Sequence, residues 1–183
     1  MADLLKLSAD VIDAIQRTRA TKLELSEINK SLAVVEAFSH CIVFKTDDGL
    51  VAFDTSNEHG GQRCVDAVRG WSDAQFNSLV FTHGHIDHVG GAGAFVADSE
   101  SANVVAHENV AARFERYRLT NGYNQVINER QFGQFKRRGY DLAGARNFLP
   151  AATPAPQQTY QSALDLEVGG TVFQLHHARG ETD

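Results

Sequence analysis

The sequence predicts an α/β fold, and three observations support this prediction. Short apolar runs of strand length alternate with stretches of helical periodicity. One such run, residues 79–81, leads directly into a cluster of histidines, and open α/β sheets place their chemistry at the carboxyl ends of strands. The 183 residues, 43% of them hydrophobic, are enough for one domain with a sizeable core.

The chain is expected to divide into two parts. Residues 1–30 are predicted to form an N-terminal helical segment that packs on the domain, and residues 31–183 to form the domain itself. Ser8 is suited to cap a short helix in the first part. That segment carries no motif with chemical function, so packing is its expected role.

A β-hairpin is predicted early in the domain. Two apolar runs, 42–44 and 50–53, flank the tripeptide Asp47-Asp48-Gly49, a turn signal in which the glycine takes a positive φ. Further along, apolar runs and helical spacing continue to alternate. The remaining predicted elements are a helix at 60–72, strands at 79–81 and 102–106 with a short helix between them, a helical stretch from 108 broken at Asn121-Gly122, and strands at 162–166 and 171–175 joined by Gly169-Gly170.

Composition narrows the classes of partner. The net charge of −6 argues against nucleic-acid binding by the chain as a whole, and no apolar run approaches the roughly 20 residues of a membrane span. Neither a nucleic acid nor a membrane is therefore an expected partner. Because the N-terminus lacks a secretory signal pattern, a cytoplasmic location is expected. Cys41 and Cys64 are not spaced as a metal-binding pair, and we expect them to be small apolar fillers.

Residues 83–88 hold the candidate metal ligands. Three of the eight histidines fall within these six positions, together with one aspartate. A short loop can aim His83 and His85 at one ion and Asp87 and His88 at a second. Imidazole and carboxylate suit zinc, and also iron or manganese.

The chain resembles the metallo-β-lactamase superfamily in the pattern His83-x-His85-x-Asp87-His88, with Phe81-Thr82 before it and Gly90-Gly91 after it. The resemblance implies an αββα sandwich, of which this chain would hold the first half and the start of the second. It also implies a hydrolase that directs a metal-activated water at an ester, sulfate ester, thioester or lactam. In such a site, Asp87 would orient the water or accept its proton.

Two strand ends outside the motif offer further candidates. In the family, an aspartate at the position of Asp54 supports the metal loop by accepting an N–H from a ligand histidine. The alternative is that Asp54 caps the following turn. His107 also ends a predicted strand, and it either approaches the metals or serves as a structural hydrogen-bonding group.

The last residues differ from the family pattern. Where the superfamily has a Gly-His-Thr turn, this sequence has Gly180-Glu181-Thr182, so Glu181 would stand at the position of a metal ligand. A carboxylate makes the site harder and favours iron or manganese more than three imidazoles do. The alternative is that His176 or His177 is the ligand. The ending is similar to that of an alkyl-sulfatase-like subgroup, but the Glu-Ala-Pro-Ala-Glu motif of the better-known alkyl sulfatases is absent from the sequence.

An anionic small molecule is the expected substrate. Arg179 could grip a sulfate or carboxylate, or neutralise Glu181. Residues 108–140 contain seven lysines or arginines and three acidic residues, so this basic segment would concentrate anions beside the site. The alternative is that the segment is a solvated pair of helices.

Two further expectations follow from the resemblance. In the family, further metal ligands follow the stretch that corresponds to the end of this chain. We therefore expect the chain to be a truncated form whose exposed sheet face favours a homodimer.

Two functions compete with metal-dependent hydrolysis. One is a mononuclear iron dioxygenase that oxidises a thiol or persulfide through two histidines and Glu181. The other is a catalytically incomplete fragment.

Overall fold

The computed structural model describes residues 23–132 and 147–180, so residues 1–22 of the predicted N-terminal helical segment and Glu181 lie outside the described residues. The described part contains nine strands: β1 (Leu25–Asn29), β2 (Leu32–Val35), β3 (Cys41–Thr46), β4 (Gly49–Phe53), β5 (Phe76–Phe81), β6 (Asn103–His107), β7 (Gln158–Tyr160), β8 (Ala163–Val168) and β9 (Thr171–His176). It contains five helices: α1 (Glu58–Arg69), α2 (Ile86–Val89), α3 (Ala92–Asp98), α4 (Glu108–Leu119) and α5 (Asn121–Phe132).

None of these helices is long and apolar enough to cross a bilayer.

Seven strands form one mixed sheet in the order β1-β2-β3-β4-β5-β6-β7. The strands from β1 to β4 pair antiparallel, whereas those from β4 to β7 pair parallel. Parallel pairing brings the carboxyl ends of β4, β5 and β6 to the same edge of the sheet. The residues that follow these three strands therefore share one region.

The sheet begins earlier than the sequence predicts. Residues 25–29 form β1, which pairs with β2 in the register Leu25↔Val35, so the prediction of a helical segment through residue 30 is wrong for these residues. β1 is an edge strand and its last three residues are exposed. An exposed edge strand carries polar side chains and lacks the apolar run by which inner strands are recognised.

Both predicted hairpins are confirmed. Gly49 opens β4 with φ 105°, and a Cβ at this position would lie 2.6 Å from the backbone oxygen of Gln75. The turn between β8 and β9 consists of Gly169 and Gly170, with φ 51° and 74°. Positive φ favours glycine, which is why these turns could be located in the sequence.

Helices cover one face of the sheet. Val65 and Val68 of α1 are buried in the same apolar cluster as residues of α3, α4 and the central strands. Phe95 of α3 packs on Phe76 with a centroid distance of 4.9 Å. Cys41 and Cys64 are buried in this cluster without a disulfide, as expected of apolar fillers. Burial raises the pKa of the Cys64 thiol to about 11.

The β8–β9 hairpin covers part of the opposite face. Val80 of β5 packs in a second apolar cluster with residues of β8 and β9. Phe173 of β9 meets Phe44 and Phe53 with centroid distances of 5.3 and 5.7 Å. The described residues thus form helix, sheet and sheet layers, which are three of the four layers of the expected sandwich. Ile42, on the same face, remains 38% exposed.

Candidate metal centre

The histidine-rich loop follows β5 and contains the single-turn helix α2. Close backbone packing ties it to the end of β4. The Thr55 N–H donates to His88 O at 2.7 Å, and the Gly91 N–H donates to Ser56 O at 3.0 Å. A Cβ on Gly91 would lie 2.1 Å from the Thr55 carbonyl oxygen, so only glycine permits this contact.

His83 and His85 each place one ring nitrogen close to the other. His83 Nε2 lies 3.1 Å from His85 Nδ1, and the two rings meet edge to face. Two nitrogens bound to one tetrahedral zinc at the usual bond length are about 3.3 Å apart. The distance between these two nitrogens is therefore compatible with one shared ion.

Asp87 and His88 form a second pair beside the first. His88 Nε2 lies 3.6 Å from Asp87 Oδ2, and the rings of His83 and His88 are separated by 4.1 Å. The predicted division of the loop into one pair for each ion stays a prediction. The structure thus brings all four predicted loop ligands into one small volume.

Asp54 lies behind this loop and holds His88. Its Oδ2 accepts from His88 Nδ1 at 2.7 Å and from Thr82 Oγ1 at 2.7 Å, while its Oδ1 accepts from the Thr82 N–H at 2.9 Å. Because Nδ1 is the donor, Nε2 of His88 is turned toward Asp87. These contacts match the supporting role that the resemblance implies better than the alternative of a turn cap.

Burial and the neighbouring negative charges shift the pKa of His88 in opposite directions. Burial lowers the pKa of its imidazole, but the hydrogen bond to Asp54 and the negative charges of Asp54 and Asp87 outweigh burial. The pKa of His88 consequently lies above its usual value. A divalent cation would compensate the same two carboxylates.

The backbone of Asp54 is strained. Its φ is 58°, and Ser56 two residues later has φ 61°. Left-handed backbone costs a non-glycine residue of order 1–3 kcal/mol, and such strain is concentrated at functional sites. Its side chain is 8% exposed, so this strained residue carries a buried carboxylate that contacts the loop.

The metal-ligand atoms of Asp54, His83 and His88 all lie within 4.8 Å of one another. This group combines the end of β4 with the loop after β5. Among the described residues, the predicted ligands His85 and Asp87 are not members of this group, and neither are His176 and His177. Glu181 lies outside the described residues, so its predicted ligand role stays a prediction.

His107 serves as a structural residue. Its Nε2 donates to Gln161 O at 2.7 Å, and its Nδ1 accepts from the Asn109 N–H at 3.2 Å. His177 stacks on its ring at a centroid distance of 3.9 Å. Both nitrogens of His107 are engaged with backbone, which favours the structural alternative over metal ligation.

A cavity of about 320 Å³ opens beside the loop. His85, Ile86 and Asp87 line one side, and residues of α4 and α5 line the other, among them Arg116 and Asn128. The basic segment predicted from the sequence thus contributes Arg116 to the candidate site. Arg179 is exposed after β9 and does not line this cavity.

Two residues of the site had no role in the sequence-based prediction. Ser39, on the loop between β2 and β3, donates its Oγ–H to Asp87 Oδ2 at 2.8 Å. Thr82 joins Asp54 to the loop, and its Oγ1 lies 3.0 Å from His83 Nδ1. Thr82 could have been found because it adjoins the motif, whereas no sequence signal pointed to Ser39.

Comparison with solved structures supports the observed architecture. The chain is similar to the metallo-beta-lactamase GOB-18 from Elizabethkingia meningoseptica, with a TM-score of 0.62 and 18% identity over 87% of this chain and 52% of that one. It is also similar to the stereoselective inverting sec-alkylsulfatase Pisa1 from Pseudomonas sp., with a TM-score of 0.59 and 19% identity over 84% of this chain and 27% of that one. At these identities, the likeness shows the fold alone.

One curated relative extends the comparison. A linear primary-alkylsulfatase from a Pseudomonas species is 24% identical over 156 residues, which cover 76% of this chain and 29% of that protein. The chain therefore spans less than a third of the length of this relative. The family model of the Metallo-beta-lactamase superfamily matches residues 34–180, which include strands β3 to β9 and the histidine-rich loop. On this match, the chain belongs to the metallo-β-lactamase superfamily.

Proposed function

We propose that this protein is a metal-dependent hydrolase that directs an activated water at an ester, sulfate ester, thioester or lactam. The observation that supports this most strongly is the convergence of the loop. His83 and His85 offer nitrogens 3.1 Å apart, beside His88 and Asp87 at 3.6 Å. Membership of a superfamily that consists generally of metal-dependent hydrolases agrees with this proposal.

The described residues fit a metal site in both donor chemistry and spacing. His83 and His85 would hold one ion together with Glu181, and Asp87 and His88 would contribute to a second. Zinc suits this donor set, and a glutamate ligand also suits iron or manganese. When bound, such an ion supplies a water of near-neutral pKa and neutralises charge on the attacked group.

The chain's own side chains would position these groups. Asp54 holds the Nδ1–H of His88 and so presents its Nε2. Ser39 holds one oxygen of Asp87, which limits the rotation of this carboxylate. Asp87 would in turn orient the water or accept its proton, since a carboxylate beside the reacting water can act as a general base.

An anionic small molecule is the proposed substrate. Two proteins similar to this chain are described as alkylsulfatases, and their substrates carry a sulfate ester. Arg116 places a positive charge in the cavity beside the loop, which supports the same charge preference. Arg179, in the exposed segment after β9, does not line this cavity, and its predicted contact with an anion stays a prediction.

Metal analysis together with an ester panel tests the proposal. The purified protein should retain divalent metal, and chelation should abolish hydrolysis of sulfate, phosphate or carboxylate esters. His83→Ala should lose metal, whereas the control His59→Ala, at an exposed position of α1, should retain it. One iron per chain with consumption of dioxygen would instead indicate the dioxygenase. A chain that binds no metal would be the catalytically incomplete fragment.

Location and assembly complete the proposal. We propose a cytoplasmic location, with which two unpaired cysteines agree. A homodimer through the sheet face that includes Ile42 stays a prediction, and light scattering of the purified protein tests it. A mass equal to one chain would contradict it.

A further inference from the structure

We infer that Arg116 is the residue through which this protein selects anionic substrates, and that the cavity between the histidine-rich loop, α4 and α5 is the subsite for an anion with an apolar body. The inference rests on the proposed function and adds the place and the residue of charge recognition. It is carried by the position of the cavity, by the charge of Arg116 and by the nature of the walls.

The cavity adjoins the candidate metal centre. His85 and Asp87 form part of its lining, and both belong to the pairs described above. A molecule in the cavity therefore lies within reach of the proposed reaction site. Its volume of about 320 Å³ is at the lower end of the range typical of small-molecule sites, which favours a small substrate over a polymer.

Arg116 is a cation without an acidic partner in the described part of the chain. Its neighbour Arg118 pairs with Glu115, and Arg69 pairs with Asp98. No described carboxylate lies within ion-pair distance of Arg116. A guanidinium in a cavity wall has its charge available for a ligand, and its planar fork suits sulfate, sulfonate or carboxylate.

The wall around Arg116 is held in place by packing. Its guanidinium lies 5.6 Å from the ring centroid of Tyr117, which is 5% exposed. Tyr117 meets Phe148 edge to face at 5.0 Å, and the Phe148 N–H donates to Asn121 Oδ1. These contacts support the guanidinium and provide an apolar surface beside it.

The face of α5 that lines the cavity carries both amide and apolar side chains. Its cavity-lining residues recur at spacings of three and four, which places them on one side of the helix. They are Asn124, Ile127, Asn128 and Gln131. Side-chain amides beside an isoleucine can receive polar oxygens and an alkyl chain together, so the cavity suits an amphiphilic anion.

Binding of hexanesulfonate to the metal-loaded protein tests the inference. This probe has a stable anionic group and a short apolar chain, and calorimetry measures its binding without turnover. Arg116→Gln should weaken hexanesulfonate binding at least about tenfold, because hydrogen bonds to a charged group are lost. Binding of the uncharged hexyl methyl sulfone should change less than twofold.

Two variants serve as controls. Arg118→Gln removes an equal charge two positions away on α4, outside this cavity, and should leave hexanesulfonate binding within twofold. Arg116→Lys should retain part of the affinity because it keeps the charge. Unchanged binding in Arg116→Gln, equal losses in both glutamine variants, or a wild-type protein that does not bind hexanesulfonate would overturn the inference.

This inference and the proposed function can be refuted independently of each other. A wild-type protein that hydrolyses esters with metal, and whose Arg116→Gln variant keeps the same preference for sulfonate over sulfone, refutes the inference alone. A protein that prefers the sulfonate through Arg116 but hydrolyses no ester with metal refutes the proposed function alone.

Discussion

Ser39 and Asp87, 48 residues apart in sequence, are joined by a hydrogen bond of 2.8 Å from the serine hydroxyl to the carboxylate. Ser39 is 9% exposed, so water replaces this donor poorly. The bond links the β2–β3 loop to the histidine-rich loop. The position of the Asp87 carboxylate thus depends on a residue outside the motif.

Ser39→Ala should weaken metal binding at the Asp87–His88 pair. Residues that orient metal ligands typically change affinity about 10- to 100-fold, and the single hydrogen bond here predicts the lower end. Competition with a chromophoric chelator measures the change. The control is Ser26→Ala on β1, which removes a hydroxyl that also donates to a carboxylate, that of Glu36. This control should leave metal affinity unchanged. Equal affinities for all three proteins would refute the role of Ser39.

Asp54→Asn should have a larger effect on metal affinity. Asp54 receives three hydrogen bonds, one of them from His88 Nδ1, and an amide group cannot accept all three at the same two atoms. We expect at least about a tenfold loss of metal affinity. Asp48→Asn, at the exposed β3–β4 turn, is the matched control. A variant that binds metal as well as wild type would show that Asp54 only maintains the backbone.

Gly91→Ala should destabilise the protein, because a Cβ there would lie 2.1 Å from the Thr55 oxygen and 2.7 Å from the Gly61 Cα. Overpacking against backbone costs about 1–3 kcal/mol and sometimes more. Urea denaturation followed by circular dichroism measures the free energy of unfolding. Gly122→Ala is the matched substitution at a site with nothing within 4 Å of the added Cβ, and it should be neutral or slightly stabilising. Equal stability of both variants would contradict the close packing.

Asp98→Asn should reduce stability at neutral pH and have less effect in acid. The hydrogen bond from Arg69 lowers the pKa of Asp98 below its usual value, and this outweighs burial, which raises it. A lowered folded-state pKa adds stability above the unfolded-state pKa of about 3.9, and this stability is lost as the pH falls through the folded-state value. We expect a loss of about 1–2 kcal/mol at pH 7, since both side chains are partly exposed.

Urea denaturation at pH 7 and near pH 3 checks this dependence. The stability difference between wild type and Asp98→Asn should shrink at the lower pH. Glu100→Gln removes a neighbouring exposed carboxylate and should change stability little at either pH. A difference that does not vary with pH would mean that the ion pair is not its cause.

The strands and turns that could be predicted were those with strong local signals. Gly49 has positive φ between two apolar runs, so the β3–β4 hairpin was predictable. β1 was missed because its sequence, Leu25–Asn29, contains no continuous apolar run, and it forms a strand through its pairing with β2. Its strand character comes from the register with β2, which is a tertiary property.

The residues of the candidate site also fall into two groups, those that the sequence could identify and those that only the structure revealed. Its four loop residues could be identified because they lie within six positions directly after a buried strand. The importance of Asp54 was suggested by the resemblance, and its contacts with Thr82 and His88 became visible in the structure. Arg116 could be assigned only to a basic segment, because a helical pattern does not specify what each side of the helix faces.

By itself, the sequence determined the chemistry of the loop: imidazole and carboxylate donors, concentrated after an apolar strand and followed by the glycines that close packing requires. Only the tertiary structure decided which distant groups surround that loop. Ser39, Asp54 and Arg116 belong to separate elements, and their positions depend on strand order and on the packing of α4. Local sequence specifies local geometry and donor type, whereas contacts between distant segments are set by how the whole core packs.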